Sequence, residues 1–192
     1  RKCFKPIRAE QLTKLEEERA TESIIFLVEK KSGEVKARTV ADGSTQRTWM
    51  GKEESMCPTV STSSTFLTSV IDAEEERDVA TCDIPNAFIQ TEQQLDKDGQ
   101  RFIMKIRGPL VDVLIEIDPE TYEDCVIVQN GHKMLCVETL KATHGMLQSG
   151  LLCHRKFRCS LEDSGFIVNP YDACVANKMV RGAQMTVAWH VD

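Results

Sequence analysis

Two aspartates, Asp83 and Asp192, close apolar, strand-like runs at 78–83 and 184–191, and neither has a lysine or arginine within four positions in the chain. Carboxylate oxygens of this kind suit magnesium, a hard cation that takes octahedral oxygen ligands and draws the remainder from water and substrate phosphates. With two such ions about 3.5–4 Å apart, one activates an attacking hydroxyl and the other stabilises the leaving oxygen of a phosphoryl transfer. The protein then supplies mainly position and charge. A single aspartate at a strand end is more often a turn or cap residue, so the pair carries chemistry only if the fold brings the two together.

The elements that must do so are readable from pattern. Residues 7–22, rich in Glu, Lys, Leu and Ala, predict a solvated helix, and the apolar runs 24–29 and 35–40 around Lys31-Ser32-Gly33-Glu34 predict a hairpin. Residues 42–61 read as loop, and 62–77 as a helix opened by a Ser/Thr cap. The run 78–83 predicts a strand that Pro85 ends, since proline cannot continue a ladder. A strand at 102–106 follows; 110–117 fits helix or strand; and 125–137 predicts a hairpin around Asn130-Gly131. A helix over 147–164 stops at Gly165, and a last hairpin, 173–180 and 184–191, turns at Arg181-Gly182. This order predicts an α+β fold, a small antiparallel sheet with helices packed on one face, in which Asp83 and Asp192 meet at neighbouring strand ends.

With 192 residues, 41% hydrophobic and 28% charged, the chain can bury a sizeable core and is neither disordered nor collagen-like. Its eight cysteines, scattered without a repeated short spacing, read as buried thiols of a reducing, intracellular compartment rather than as a zinc site or disulfide frame. No run approaches the roughly 18 apolar residues of a membrane span. The net charge of −6 divides unevenly: residues 1–50 carry 11 Lys/Arg against 8 Asp/Glu, and residues 51–192 carry 13 against 22. A basic part on an acidic body suits an enzyme that grips phosphates with one region and holds cations with another; a solvated charge distribution without function accounts for it equally well.

Several segments together resemble the reverse transcriptases of copia-type retrotransposons. Residues 34–46, Glu-Val-Lys-Ala-Arg-Thr-Val-Ala-Asp-Gly-Ser-Thr-Gln, are similar to the K-A-R-L-V-A-R-G-x-x-Q block of that family, and Cys57-Pro58-Thr59-Val60-Ser61 to the A-P-T-V-S that follows. Asp83-Ile84-Pro85-Asn86-Ala87-Phe88-Ile89 resembles the first catalytic motif, D-V-x-N-A-F-L, and residues 140–149, Leu-Lys-Ala-Thr-His-Gly-Met-Leu-Gln-Ser, resemble K-A-L-Y-G-L-x-Q-S. Gly165-Phe166, the Asp172-Ala173-Cys174-Val175 run and residues 187–192 resemble the G-F, D-x-C-V and Y-V-D-D blocks, in the family's order across 34–192.

The resemblance implies an RNA-directed DNA polymerase with a fingers-like part at 1–61 and a palm-like part at 62–192. Asp83 and Asp192 would be catalytic aspartates holding two Mg2+ ions, with the backbone carbonyl of Ile84 completing the cage. Phe88 would underlie the incoming sugar and clash with a 2′-hydroxyl, Lys36 and Arg38 would hold the triphosphate of a dNTP, and Gln148 would contact nucleotide or template. Taken singly, Phe88 is also readable as a core aromatic, Lys36 and Arg38 as a solvated strand face, and Gln148 as a helix-start polar residue. The basic residues Arg155, Lys156 and Arg158 read as a solvated helix face or as a nucleic-acid track. Implied partners are an RNA/DNA primer-template, dNTPs, and the integrase and ribonuclease H of a Pol polyprotein, with no membrane. The implied location is a cytoplasmic virus-like particle with a nuclear stage.

Asp42 stands where the family has a basic residue, and His144 and His190 stand where it has tyrosines. The second aspartate of Y-V-D-D would follow Asp192, so the chain is expected to be a piece of a longer polypeptide whose thumb lies elsewhere. Two other classes remain open from sequence: an inactive relic or non-catalytic nucleic-acid-binding module on the same scaffold, and an unrelated α+β interaction domain.

Overall fold

The structure is a computed structural model that describes residues 2–191. Strand β1 (Phe4–Ile7) leads through a 3-10 turn to the short helix α1 (Lys14–Arg19), and strands β2 (Thr21–Glu29) and β3 (Val35–Ala41) form a hairpin. A 3-10 segment, Gly43–Thr48, and helix α2 (Lys52–Ser55) precede helix α3 (Thr62–Glu74), which Ser61 caps by accepting the Ser64 N–H. Helix α4 (Ala87–Gln90), strand β4 (Ile103–Arg107) and helices α5 (Pro109–Ile117) and α6 (Pro119–Tyr122) come next. Strands β5 (Val126–Gln129) and β6 (His132–Thr139), helix α7 (Ser149–Asp163), and strands β7 (Ile167–Asn169), β8 (Asp172–Val180) and β9 (Ala183–Ala188) complete the chain.

The α+β class holds, but the sheet is larger and less uniform than the pattern predicts. One six-stranded sheet has the order β1-β6-β4-β2-β3, with β5 also paired to β6, and a separate three-stranded sheet has the order β7-β8-β9. The β2–β4 pairing is parallel, Thr21 opposite Met104, so the large sheet is mixed. It takes strands from both sides of residue 61.

Alternation along the strands sets the core. Met104 and Ile106 of β4 lie opposite Val137 and Leu135 of β6, and this face packs on Val111 of α5, Phe102 and Met146. Shifting by one residue gives the other face, where Ile103, Cys136 and Met134 meet Ile7. In the small sheet Cys174, Ala176 and the following Trp189 pack against Phe157 and Leu161 of α7.

Two expectations fail locally, and one open reading resolves. Residues 7–22 are not one helix: β1 pairs with β6, α1 covers only Lys14–Arg19, and β2 begins at Thr21. Glu16 turns its carboxylate to Arg101, 2.7 Å away, instead of serving a solvated helix face. Long-range pairing thus overrides a composition that favours helix. The 78–83 run is exposed, has no regular secondary structure and pairs with no described strand. The 110–117 run is helical because Gly108 (φ +74°) turns the chain and Pro109 occupies the first helical turn.

Candidate functional site

The site begins at the end of β3. Lys36 and Arg38 lie opposite Val28 and Phe26 in the β2–β3 register, so all four side chains share one face of the ribbon. Both cations are exposed. Asp42, the residue that departs from the basic position of the family pattern, is held below the ordinary carboxylate range because the Ser44 hydroxyl and N–H bind it. It accepts the Ser44 N–H at 3.0 Å and caps the turn at 43–48.

Beyond Ala41 the strand end is fastened to the 143–149 loop. The Ala41 N–H donates to the His144 carbonyl at 2.8 Å. Gly145 adopts φ +90° with its α-carbon so close to Ala41 that an added Cβ would lie 1.9 Å from the Ala41 oxygen. A Cβ on Gly43 would in turn lie 2.1 Å from the Gly145 oxygen. Gln46, fully buried, accepts the Leu147 N–H at 2.8 Å and donates to Gln148 Oε1 at 3.3 Å. Ser149 closes the loop by donating to the Thr143 carbonyl at 2.7 Å.

The third segment is α4. Asn86 in the left-handed region (φ 55°) starts it, and Gln90 Nε2 ties it back to the Pro85 carbonyl at 2.9 Å. Its far end is held by Ala142 N–H donating to Thr91 O at 2.9 Å and by Lys156 Nζ on the Gln90 carbonyl. Phe88, half-buried, therefore meets His144 edge-on, ring centroids 4.6 Å apart and planes at 83°. Desolvation by its neighbours and then the Arg38 guanidinium push the imidazole of His144, an exposed residue, below its ordinary pKa. Phe88 and His144, far apart in sequence, thus meet, and the Ala41–His144 backbone bond sets the end of β3 beside them.

The remaining sequence-predicted residues distribute as follows. Asp83 and Ile84 lie exposed just before α4, and Asp83 has no hydrogen-bond or ion-pair partner among the described residues. Asp192 lies outside the described residues, so its meeting with Asp83 does too. Gln148 is 5% exposed and faces Gln46 and the Met146 sulfur rather than solvent. Arg155 and Lys156 are exposed on α7, while Arg158 pairs with Glu162 at 2.9 Å. Of the cysteines expected to be buried, Cys136, Cys153 and Cys174 are, whereas Cys3, Cys57 and Cys125 are half-buried and Cys82 and Cys159 are exposed.

No group of three His, Cys, Asp or Glu side chains among the described residues is gathered for a metal ion. An unpaired, solvent-facing carboxylate such as Asp83 fits a cation that takes most of its ligands from phosphate and water. Sequence reasoning missed Gln46, whose position in the Val-Ala-Asp-Gly-Ser-Thr-Gln run was the only signal, and it missed the buried His154–Trp189 pair. It also missed Asp172, which joins β8 to the start of α3 by accepting the Ser61 N–H at 2.9 Å. No family model, curated protein or solved structure matches the chain.

Proposed function

We propose that the chain is the fingers and first palm region of a copia-type RNA-directed DNA polymerase, which adds dNTPs to a primer 3′-hydroxyl on a nucleic-acid template. The observation that carries the reading is the meeting of three separate stretches that each resemble a nucleotide-handling block: Phe88 lies edge-on to His144, and Ala41, at the end of the strand that carries Lys36 and Arg38, donates its N–H to the His144 carbonyl. An accidental resemblance gives no reason for those stretches to become neighbours.

In this reading Lys36 and Arg38 hold the triphosphate, guanidinium by paired hydrogen bonds and ammonium as a point charge. Phe88, braced edge-on by His144, fills the volume that a ribose 2′-hydroxyl requires. Gln148, locked to Gln46, acts through the 143–149 loop and sets its height against the nucleotide. Asp83, the Ile84 carbonyl and Asp192 hold two Mg2+ ions. When bound, those ions supply activation of the attacking hydroxyl and neutralisation of the leaving pyrophosphate. A supporting contact lies at the other end of the Asp83 segment. Arg77 Nη1 donates to Thr186 Oγ1 at 3.4 Å, so the run towards Asp83 starts beside the strand that runs towards Asp192.

Under this reading the chain is part of a longer polypeptide, and the test uses that whole polypeptide. Asp83→Asn abolishes magnesium-dependent primer extension while circular dichroism stays unchanged; extension at the parental rate removes Asp83 from the site. The exposed, unpaired 78–83 run favours one second reading, a non-catalytic nucleic-acid-binding module on the same scaffold. It predicts oligonucleotide binding by the parent with no extension under any metal.

A further inference from the structure

The most enclosed histidine among the described residues is His154 on α7, 3% exposed. Its Nδ1 accepts the Trp189 indole N–H at 3.2 Å, and the two rings stack with centroids 5.8 Å apart and planes at 26°. Phe157, one turn further along α7, meets Trp189 edge-on at 5.4 Å. The Trp189 backbone N–H donates to the Cys174 carbonyl at 3.0 Å, so the residue that follows β9 is held on all sides.

An imidazole nitrogen accepts a hydrogen bond only while unprotonated, so this geometry fixes a neutral ring with its proton on Nε2. Adding a proton at Nδ1 sets two donors against each other in an enclosed space. The groups around the ring oppose that proton unevenly. Arg155 and Arg158 flank His154 on α7. The β8 side presents the Cys174 thiol, 3.8 Å from Nδ1, with the Asp172 carboxylate and Cys57 behind it. His190 adjoins Trp189 in the chain. Burial first, then Arg158 and Arg155, hold the imidazole below its ordinary value.

We propose that His154 is a positioning residue for the segment that leads to Asp192: neutral, it pins Trp189 and the end of the β8–β9 hairpin against α7, and protonated, it releases them. The inference rests on the polymerase reading for its consequence and on the indole hydrogen bond for its existence. Trp189 stands three residues before Asp192, so releasing it frees the backbone that presents the carboxylate.

The test follows the indole N–H resonance of Trp189 in 15N-labelled protein, assigned against Trp49 with the Trp49→Phe variant. The resonance titrates once on acidification, with a midpoint below the ordinary histidine value. In His154→Asn, whose amide oxygen also accepts, it stays near its neutral position and does not titrate. A Trp189 resonance that is pH-independent wherever the fold persists, or that titrates equally in His154→Asn, overturns the proposal. In primer extension, His154→Phe lowers kcat roughly three- to tenfold, the equivalent of one lost hydrogen bond, with KM unchanged, and His154→Asn restores it. An undiminished kcat in His154→Phe overturns the positioning role. Absence of extension in the parent counts against the polymerase reading alone, because the indole titration is read without activity.

Discussion

The backbone of Gly145 approaches the Ala41 carbonyl so closely that a Cβ at residue 145 would lie 1.9 Å from its oxygen. No side chain can give way there, because the obstacle is main chain in a strand, and the φ of +90° is itself unfavourable for any L residue with a Cβ. Gly145→Ala is expected to lower stability by about 2–4 kcal/mol, measured by urea denaturation. Gly33, in the β2–β3 turn at φ +80° with nothing within 4 Å of its added Cβ, is the control. Alanine there meets only the dihedral penalty, about 1 kcal/mol. Equal losses at the two positions would show that strand and loop are not in contact.

Acid sensitivity follows from two buried carboxylates. Hydrogen bonding to Arg101 lowers the pKa of Glu16, 3% exposed, from 4.5 to about 2. Against the upward push of burial, the Ser64 hydroxyl and the N–H groups of Ser61 and Cys174 hold Asp172 at about 2. Folded pKa values below the unfolded ones mean that each group stabilises fully above its unfolded value and loses that contribution as pH falls towards 2. Glu16→Gln should therefore flatten the fall in unfolding free energy between pH 4.5 and 2, removing up to about 3 kcal/mol at neutral pH. An unchanged slope would show that Glu16 titrates normally.

Local chemistry was legible in the sequence, and distant pairing was not. The hairpins at Asn130-Gly131 and Arg181-Gly182 form where two consecutive residues take positive φ (53° and 77°, then 52° and 86°), which asparagine and glycine adopt readily, Arg181 does less so, and the strand twist favours. Ser61 and Gly165 likewise bound their helices by local means. The division of 7–22 depended on partners in β4 and β6 and on Arg101, more than 80 residues away. Of the candidate site, Lys36, Arg38 and Phe88 were proposed from sequence because each lies in a short block with recognisable order. Gln46 and Gln148 meet across 102 positions, and His154 and Trp189 across 35, and no spacing rule links such pairs.

The His144 environment offers a test of the grouping that needs no activity. His144 is exposed, and desolvation by its neighbours, of which Phe88 is the ring in contact, is the larger cause of its lowered pKa and the Arg38 charge the smaller. Phe88→Ala should raise the midpoint of the His144 imidazole resonance towards the ordinary histidine value. Arg38→Gln should raise it less, and more weakly still at high salt, where charge effects at this exposed position are screened. If neither substitution moves the midpoint, the three residues do not share a site.

In the polymerase reading, sugar selection is the sharpest consequence of the braced ring. Phe88 owes its position to Asn86 at the start of α4, to the anchoring of Gln90 and Thr91, and to the edge contact with His144, so it cannot withdraw to admit a 2′-hydroxyl without breaking those contacts. In that reading Phe88→Val opens that volume and leaves untouched Lys36 and Arg38, which would hold the triphosphate. Discrimination against ribonucleotides, measured as the ratio of kcat/KM for dNTP and NTP, should fall by at least about tenfold, mainly through improved use of the ribonucleotide. His144→Ala, which removes the brace but not the ring, should produce a smaller fall in the same direction. A ratio that does not change in Phe88→Val would place the sugar elsewhere and leave Phe88 as packing.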